Sequence, residues 1–229
     1  GARPCQGRGH EFEPRCPLQI FCLSCKTPQF VFNLDTCFVS CFEANLLPDF
    51  ITAIFAKLKL TGKTSMKAIN KLGRYVAKIN NYSPWLRSPL LTLLFGKAVK
   101  FAGTASVKVD LLNFQQAQLS LANKTKVQNH IGSVHAAALA LLGESASGFL
   151  VGLHVADDRI PLLKSMQLNY VKRATGKLVA TTSLTDEQIQ FIRDTEKGDI
   201  TILVKITDEL NVEPVIAEFV WAWVPKQRR

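Results

Sequence analysis

From Val134 to Ala156 the chain is apolar or small, and the run is broken by His135, Glu144 and His154. The front of this region reads NHIGSVHAAALALLGESASG over residues 129–148. A stretch this apolar is not stable as a helix facing water and has to be covered on most sides. It is also too interrupted to cross a bilayer, which takes about 20 predominantly apolar residues. We read it as a buried helix at about 133–147, followed by a strand at 149–155. Ser133 is the candidate N-cap, and Gly148 suits the C-terminal end. Ala136, Ala137, Ala138, Ala140, Gly143, Ala146 and Gly148 are small enough to let a covering layer approach closely.

The cover is read from the segments on either side. Val107, Val109 and Leu111 alternate with Ser106, Lys108 and Asp110, and Leu119 and Leu121 alternate with polar neighbours. Met166, Leu168 and Tyr170 do the same, and further strands are expected at 177–184, 200–208 and 213–224. The last carries Phe219, Trp221 and Trp223 on one face. Gly176 and Asn211 mark turns, and Thr185 with Gln188 forms a capping box for a short helix. The expected fold class is α+β: about seven antiparallel strands curled around one long central helix, over residues 103–225.

Two segments precede it. Residues 1–45 hold all six cysteines and show neither helical nor strand periodicity. We expect a disordered or non-native leader. Cys22, Cys25, Cys37 and Cys41 form two close pairs that offer a weak zinc pattern, and no metal is assigned. The cysteine-free remainder fits a reducing compartment. Residues 46–102 are expected to form a basic helical extension. Residues 50–109 hold eleven Lys or Arg side chains and no acid, which accounts for the +10 formal charge of the chain. Ile69, Leu72, Tyr75, Val76 and Ile79 recur at helical spacing, with Lys67, Lys71, Arg74 and Lys78 on the other side. Such a helix suits a solvated face, a phosphate-bearing partner, or peripheral contact with a membrane surface near residues 64–80. Nucleic acid is excluded as a partner, because no aromatic residues interleave the charge. The compartment is intracellular, either mitochondrial or cytoplasmic.

The chemistry-bearing residues cluster at the central helix. N–H groups in the first turn, near His135 and Ala136, have no intrahelical acceptors and sit at the positive end of the helix dipole, where a carbonyl oxygen gaining charge could dock. Asn129 lies just upstream. Glu144 is nine residues beyond His135, or half a turn net at about 100° per residue, so the two side chains face opposite ways. A second copy related by a two-fold axis could bring one subunit's Glu144 to the other's helix start.

At Asn129, Gly132, His135, Ala136 and Glu144 the pattern N-x-x-G-x-x-H-[AG]-x7-[DE] opens a helix rich in small residues. In this the chain resembles the hotdog-fold thioesterases, of the phenylacetate-pathway and broader acyl-CoA thioesterase-like groups, over about residues 83–225. The resemblance implies an acyl-CoA thioesterase working as a homodimer or a dimer of dimers, with no cofactor beyond the coenzyme A of its substrate. It implies Glu144 as general base or nucleophile, the Ala136 N–H as holder of the thioester oxygen, Asn129 as positioner of water or carbonyl, and His135 as a support. It also implies Gly132 among the substrate-binding residues. The family often has glycine where this chain has Ala136. Where some members carry a hydroxyl this chain has Leu163, with Ser165 two residues further on and read as lying on the same strand face. Arg159, Lys164, Lys172 and Arg173 are the candidates for the coenzyme A phosphates. The alternative is a hotdog protein that binds acyl-CoA or fatty acyl chains without cleaving them.

Overall fold

The computed structural model describes residues 68–226. The cysteine pairs, the leader at 1–45 and the first part of the basic extension lie outside the described residues. Among the described residues three helices precede the strands: α1 (Lys71–Asn80), α2 (Pro84–Ala98) and α3 (Lys100–Ala105). Two strands, β1 (Lys108–Leu112) and β2 (Gln116–Leu121), lead to the central helix α4 (Ala136–Gly152). Strands β3 (Arg159–Tyr170) and β4 (Leu178–Ser183), helix α5 (Asp186–Asp194), and strands β5 (Gly198–Thr207) and β6 (Val215–Pro225) complete the fold. The six strands form one antiparallel sheet in the order β1-β2-β4-β5-β6-β3.

The sheet wraps α4, whose residues from Leu141 to Gly152 are buried apart from Glu144. Two glycines make the close approach feasible. A Cβ on Gly143 would come within 2.7 Å of the Phe219 ring, and one on Gly148 within 2.5 Å of the Trp221 indole. The Trp221 Nε1–H donates to Ser147 Oγ at 2.9 Å, and that hydroxyl donates to the Gly143 carbonyl at 2.9 Å. The polar atoms carried by the aromatic layer into the core are therefore satisfied.

These contacts correct two expectations. The helix does not stop at Gly148; it continues to Gly152, and residues 149–152 are helical rather than extended. Phe149, Leu150 and Val151 are β-prone or neutral as a local run, but as helix they bury Phe149 against Phe95, with ring centroids 3.9 Å apart. Tertiary packing outweighs the small differences in intrinsic propensity. The sheet accordingly has six strands, not seven. The helix also starts later than expected. Its N-cap is His135, whose Nδ1 accepts the Ala137 N–H at 3.0 Å. Ser133 lies buried before it.

The remaining elements follow their local chemistry. Thr185 and Gln188 make the reciprocal capping box of α5. Gly176 (φ 64°) and Asn211 (φ 57°) take the left-handed conformations of the β3–β4 and β5–β6 connections. In β1 the alternation breaks at a bulge between Val109 and Leu111, so Val109 and Leu112 are buried while Leu111 turns to solvent.

Helix α1 is capped by Asn70, whose Oδ1 accepts the Gly73 N–H at 2.6 Å. The Asn70 amide donates to the carbonyls of Gly152 and Val155, at 2.7 and 2.6 Å, tying α1 to the end of α4. Leu72, Val76 and Ile79 join the same core as α4 and the sheet. Over its described part, the apolar side of the basic helix expected near residues 64–80 is thus packed inside the protein. Among the described residues no helix is long and apolar enough to cross a membrane.

Candidate active site

The loop before α4 is built by backbone pairing and one side chain. Gln128 bridges Val134, the Asn129 N–H donates to the Ser133 carbonyl at 2.8 Å, and the His135 N–H donates to the Val127 carbonyl at 2.8 Å. Within it Asn129 Oδ1 accepts the N–H groups of Ile131 and Ser133, each at 3.1 Å. This is an Asx-type turn, and it engages the acceptor end of the amide. The half-buried side chain keeps its NH₂ end as the group that could meet a substrate carbonyl or water. Gly132 sits at φ 74°, a conformation that favours glycine; its carbonyl accepts from Asn123 Nδ2 at 3.0 Å.

The loop delivers His135 and Ala136 to an exposed helix start. With His135 Nδ1 acting as acceptor, the neutral ring carries its proton on Nε2. Ala136 is the first helical residue, so its N–H has no intrahelical acceptor. These are the donors that a developing oxyanion needs, at the positive end of a helix of 17 residues.

Two residues outside the motif brace this end. Tyr170, on β3, donates its hydroxyl to the Ala136 carbonyl at 2.9 Å. Arg173 donates from Nε to Ser133 Oγ at 2.6 Å and from Nη2 to the Ile131 carbonyl at 2.9 Å. Neither role is visible locally in the sequence, where Tyr170 reads as one member of an alternating strand and Arg173 as a surface cation. Their partners lie between 34 and 42 residues away.

Glu144 occupies the middle of α4. Ala137, Ala140 and Glu144, at spacings of three and four, share one face, and this face is exposed or half-buried where the rest of the mid-helix is enclosed. Among the described residues, none of the hydrogen bonds or ion pairs engages its carboxylate. Burial without a compensating partner raises its pKa from 4.5 to about 7. The carboxylate is thus poised to exchange a proton near neutrality. The eight residue steps from Ala136 to Glu144 span about 12 Å along the helix axis. One chain therefore does not bring its own carboxylate and its own helix start to a single thioester carbon.

The other expected site residues lie elsewhere. Ser165 is not on the face of Leu163. A bulge between Leu163 and Ser165 puts Leu163 opposite Trp221 and Ser165 opposite Val220. Directly opposed residues share a face, so Leu163 lies on the side of the buried Trp221 and Ser165 on the outer side. The extra residue is Lys164, which pairs with Asp199 at 3.2 Å. Arg159 is turned inward. Its guanidinium donates to the carbonyls of Ile192 at 3.3 Å, Arg193 at 3.1 Å, and Thr195, closing the C-terminal end of α5. Its donors serve a helix terminus rather than a phosphate. Among the described residues no group of three His, Cys, Asp or Glu side chains is gathered for a metal ion.

The same fold recurs in solved structures. The chain is similar to a Pseudomonas aeruginosa protein of unknown function designated a probable thioesterase, at 22% identity and a TM-score of 0.55, covering 60% of this chain and 95% of that one. A Haemophilus influenzae thioesterase is similar at 10% identity and a TM-score of 0.50, covering 65% and 94%. A substituted form of another Pseudomonas aeruginosa thioesterase is similar at 13% identity and a TM-score of 0.50, covering 59% and 93%. At these identities the likeness is one of fold. No curated protein matches the chain. Residues 87–224 match the family described as a domain of unknown function, DUF4442, and the chain, which has the hotdog fold, belongs to that family.

Proposed function

We propose that this protein hydrolyses the thioester of an acyl-CoA at a site shared by two copies of the chain. The observation that carries the reading is Glu144, a carboxylate without a partner among the described residues, set in an otherwise apolar helix and titrating near neutrality. The names of the structurally similar proteins support a thioester-cleaving function at the coarser level. The separation of about 12 Å between Glu144 and its own helix start supports a second copy. So does β3, which pairs with β6 on one side, lies at the margin of the sheet, and is exposed over much of its length.

In the proposed reaction Glu144 removes a proton from a water molecule as the water oxygen attacks the thioester carbon. The carbonyl oxygen takes the negative charge and is held by the Ala136 N–H of the other copy, with the Asn129 amide beside it. The tetrahedral intermediate collapses, the C–S bond breaks, and the departing sulfur receives the proton from Glu144. Acid and thiol result. Coenzyme A enters as part of the substrate. Lys172 and Arg173 remain candidates for its phosphates, although Arg173 also holds the loop.

A second reading is supported by Ala136, where the family often has glycine, and by Leu163, where some members have a hydroxyl. In it the same site binds acyl-CoA without cleaving it. Thiol release from a panel of acyl-CoAs, measured for the native chain and for Glu144→Gln, separates the two. Hydrolysis that falls at least about a hundredfold in the folded variant supports the enzyme. Saturable binding without turnover at any chain length supports the binder, and equal rates in both proteins reject Glu144 as the base.

A further inference from the structure

Helix α2 buries Leu91, Leu94 and Phe95 against the core and turns a different set outward. Trp85 is 75% exposed and Leu93 42%, with Pro89 exposed between them. At spacings of four these three residues lie within about 80° of one another on the helix surface. Lys97, also exposed, continues the line. The short helix α3 is held against this side of α2 by a glycine contact, since a Cβ on Gly103 would overlap the Gly96 carbonyl. It adds Phe101, 60% exposed, and the exposed Lys100.

We propose that Trp85, Leu93 and Phe101 are the membrane-contact patch of this protein, seating α2 and α3 on an anionic lipid surface. The charge argues for that partner. From residue 68 to residue 107 there is no acidic side chain, while Lys71, Arg74, Lys78, Arg87, Lys97 and Lys100 supply six cations. Single large apolar side chains, one of them Trp, in a segment that carries cations and no acid match the boundary between headgroups and acyl chains. A protein partner of ordinary mixed charge has no use for so one-sided a segment. The patch belongs to helices that pack beside β1, at the opposite end of the sheet from β3. It is independent of whether the protein cleaves thioesters.

The test uses the full chain with phosphatidylcholine vesicles, with and without phosphatidylglycerol. Trp221 and Trp223 are fully buried, so a vesicle-dependent change in tryptophan emission reports Trp85. The expected result is co-sedimentation and a blue shift with phosphatidylglycerol vesicles, both weakened by salt. The variant Trp85→Ser/Leu93→Ser/Phe101→Ser should bind at least about tenfold more weakly, and Lys97→Gln/Lys100→Gln should bind more weakly as well. The variant Leu203→Ser/Ile216→Ser, altered at exposed apolar positions on other strands, should bind as the native chain does. The proposal is overturned by absence of native binding, by undiminished binding of the triple variant, or by equal loss in the control. It is also overturned if the triple variant only changes the size of the protein in lipid-free solution, which would assign the patch to a second copy.

Discussion

Trp221 and Gly148 are fitted so closely that a Cβ on the glycine would lie 2.5 Å from the indole. The ring has no easy retreat, being fully buried and hydrogen-bonded through Nε1 to Ser147. Replacing glycine by alanine within a helix gains about 1 kcal/mol of propensity, and overpacking a filled core costs about 1–3 kcal/mol. The steric cost should win, because the obstacle is a pinned ring and not the tip of a flexible chain. Gly148→Ala is expected to lower stability by about 1–2 kcal/mol, read from the urea midpoint. A gain in stability would show that the ring can move.

Glu144 and His154 act on stability with opposite signs over nearly the same pH range. Burial holds the Glu144 carboxyl at about 7, above its usual 4.5. The fold therefore binds the extra proton between those values, and this group lowers stability as pH rises. Burial brings His154 down to about 4 from 6.5. Its Nδ1 accepts from Arg193 Nε at 3.2 Å and its Nε2–H donates to the Phe114 carbonyl at 2.6 Å, an arrangement that suits the neutral ring. The unfolded chain then binds the extra proton, so this contribution is complete above pH 6.5 and is lost as pH falls towards 4. From 4.5 to 6.5 the two slopes cancel. Each single variant should expose the other slope. Glu144→Gln should gain stability as pH rises through that window, and His154→Gln should lose it, each by on the order of 1–3 kcal/mol. Denaturant unfolding at several pH values checks this, and parallel profiles would reject it.

The same raised pKa sets the pH dependence of turnover. A general base works deprotonated, so kcat/KM should climb about tenfold per pH unit below 7 and level off above it. A profile that is flat from pH 5 to 8 would remove Glu144 from the role of base.

Arg159 should behave as a structural residue. Its guanidinium satisfies three carbonyls at the end of α5, and hydrogen bonds from a charged donor contribute about 1.5–3 kcal/mol. Arg159→Met is expected to cost about 2 kcal/mol in unfolding free energy while leaving the KM for acyl-CoA within about twofold. An unchanged stability with a tenfold rise in KM would return this residue to the phosphates.

Arg173 should act through the loop that it holds. Without its bonds to Ser133 and Ile131, the segment that carries Asn129 and presents His135 loses a brace. Arg173→Met is predicted to lower kcat about tenfold and to speed amide exchange over residues 129–135. A rise in KM alone, with unaltered exchange, would instead mark a charge that only attracts substrate.

The legible parts of this fold are those where the local pattern and the packing agree. The alternation of Leu119 and Leu121, the aromatic face of Phe219, Trp221 and Trp223, and the Thr185–Gln188 box all describe contacts whose partners are near in sequence or share a periodicity. Gly148 misleads because glycine has two uses, ending helices and admitting a neighbour, and only the position of Trp221 tells them apart. Ser165 misleads because a single added residue at Lys164 reverses the faces of a strand, and no turn residue announces it. Arg159 misleads because the carbonyls it serves are 33 to 36 residues away. At the candidate site, the motif named the helix start and the acid, while Tyr170 and Arg173 emerge only when β3 is laid beside α4.

The two margins of the sheet are unequal. At β1 the Val109 N–H is already taken by Thr92 Oγ1 of α2, at 3.0 Å. At β3, among the described residues, no further strand follows. A molecule with one receptive rim can add a like rim once, after which neither participant has another to offer. Such a joint would be self-limiting: under the proposed pairing it would give a closed pair with a two-fold axis, without the endless side-by-side stacking that two bare margins would invite.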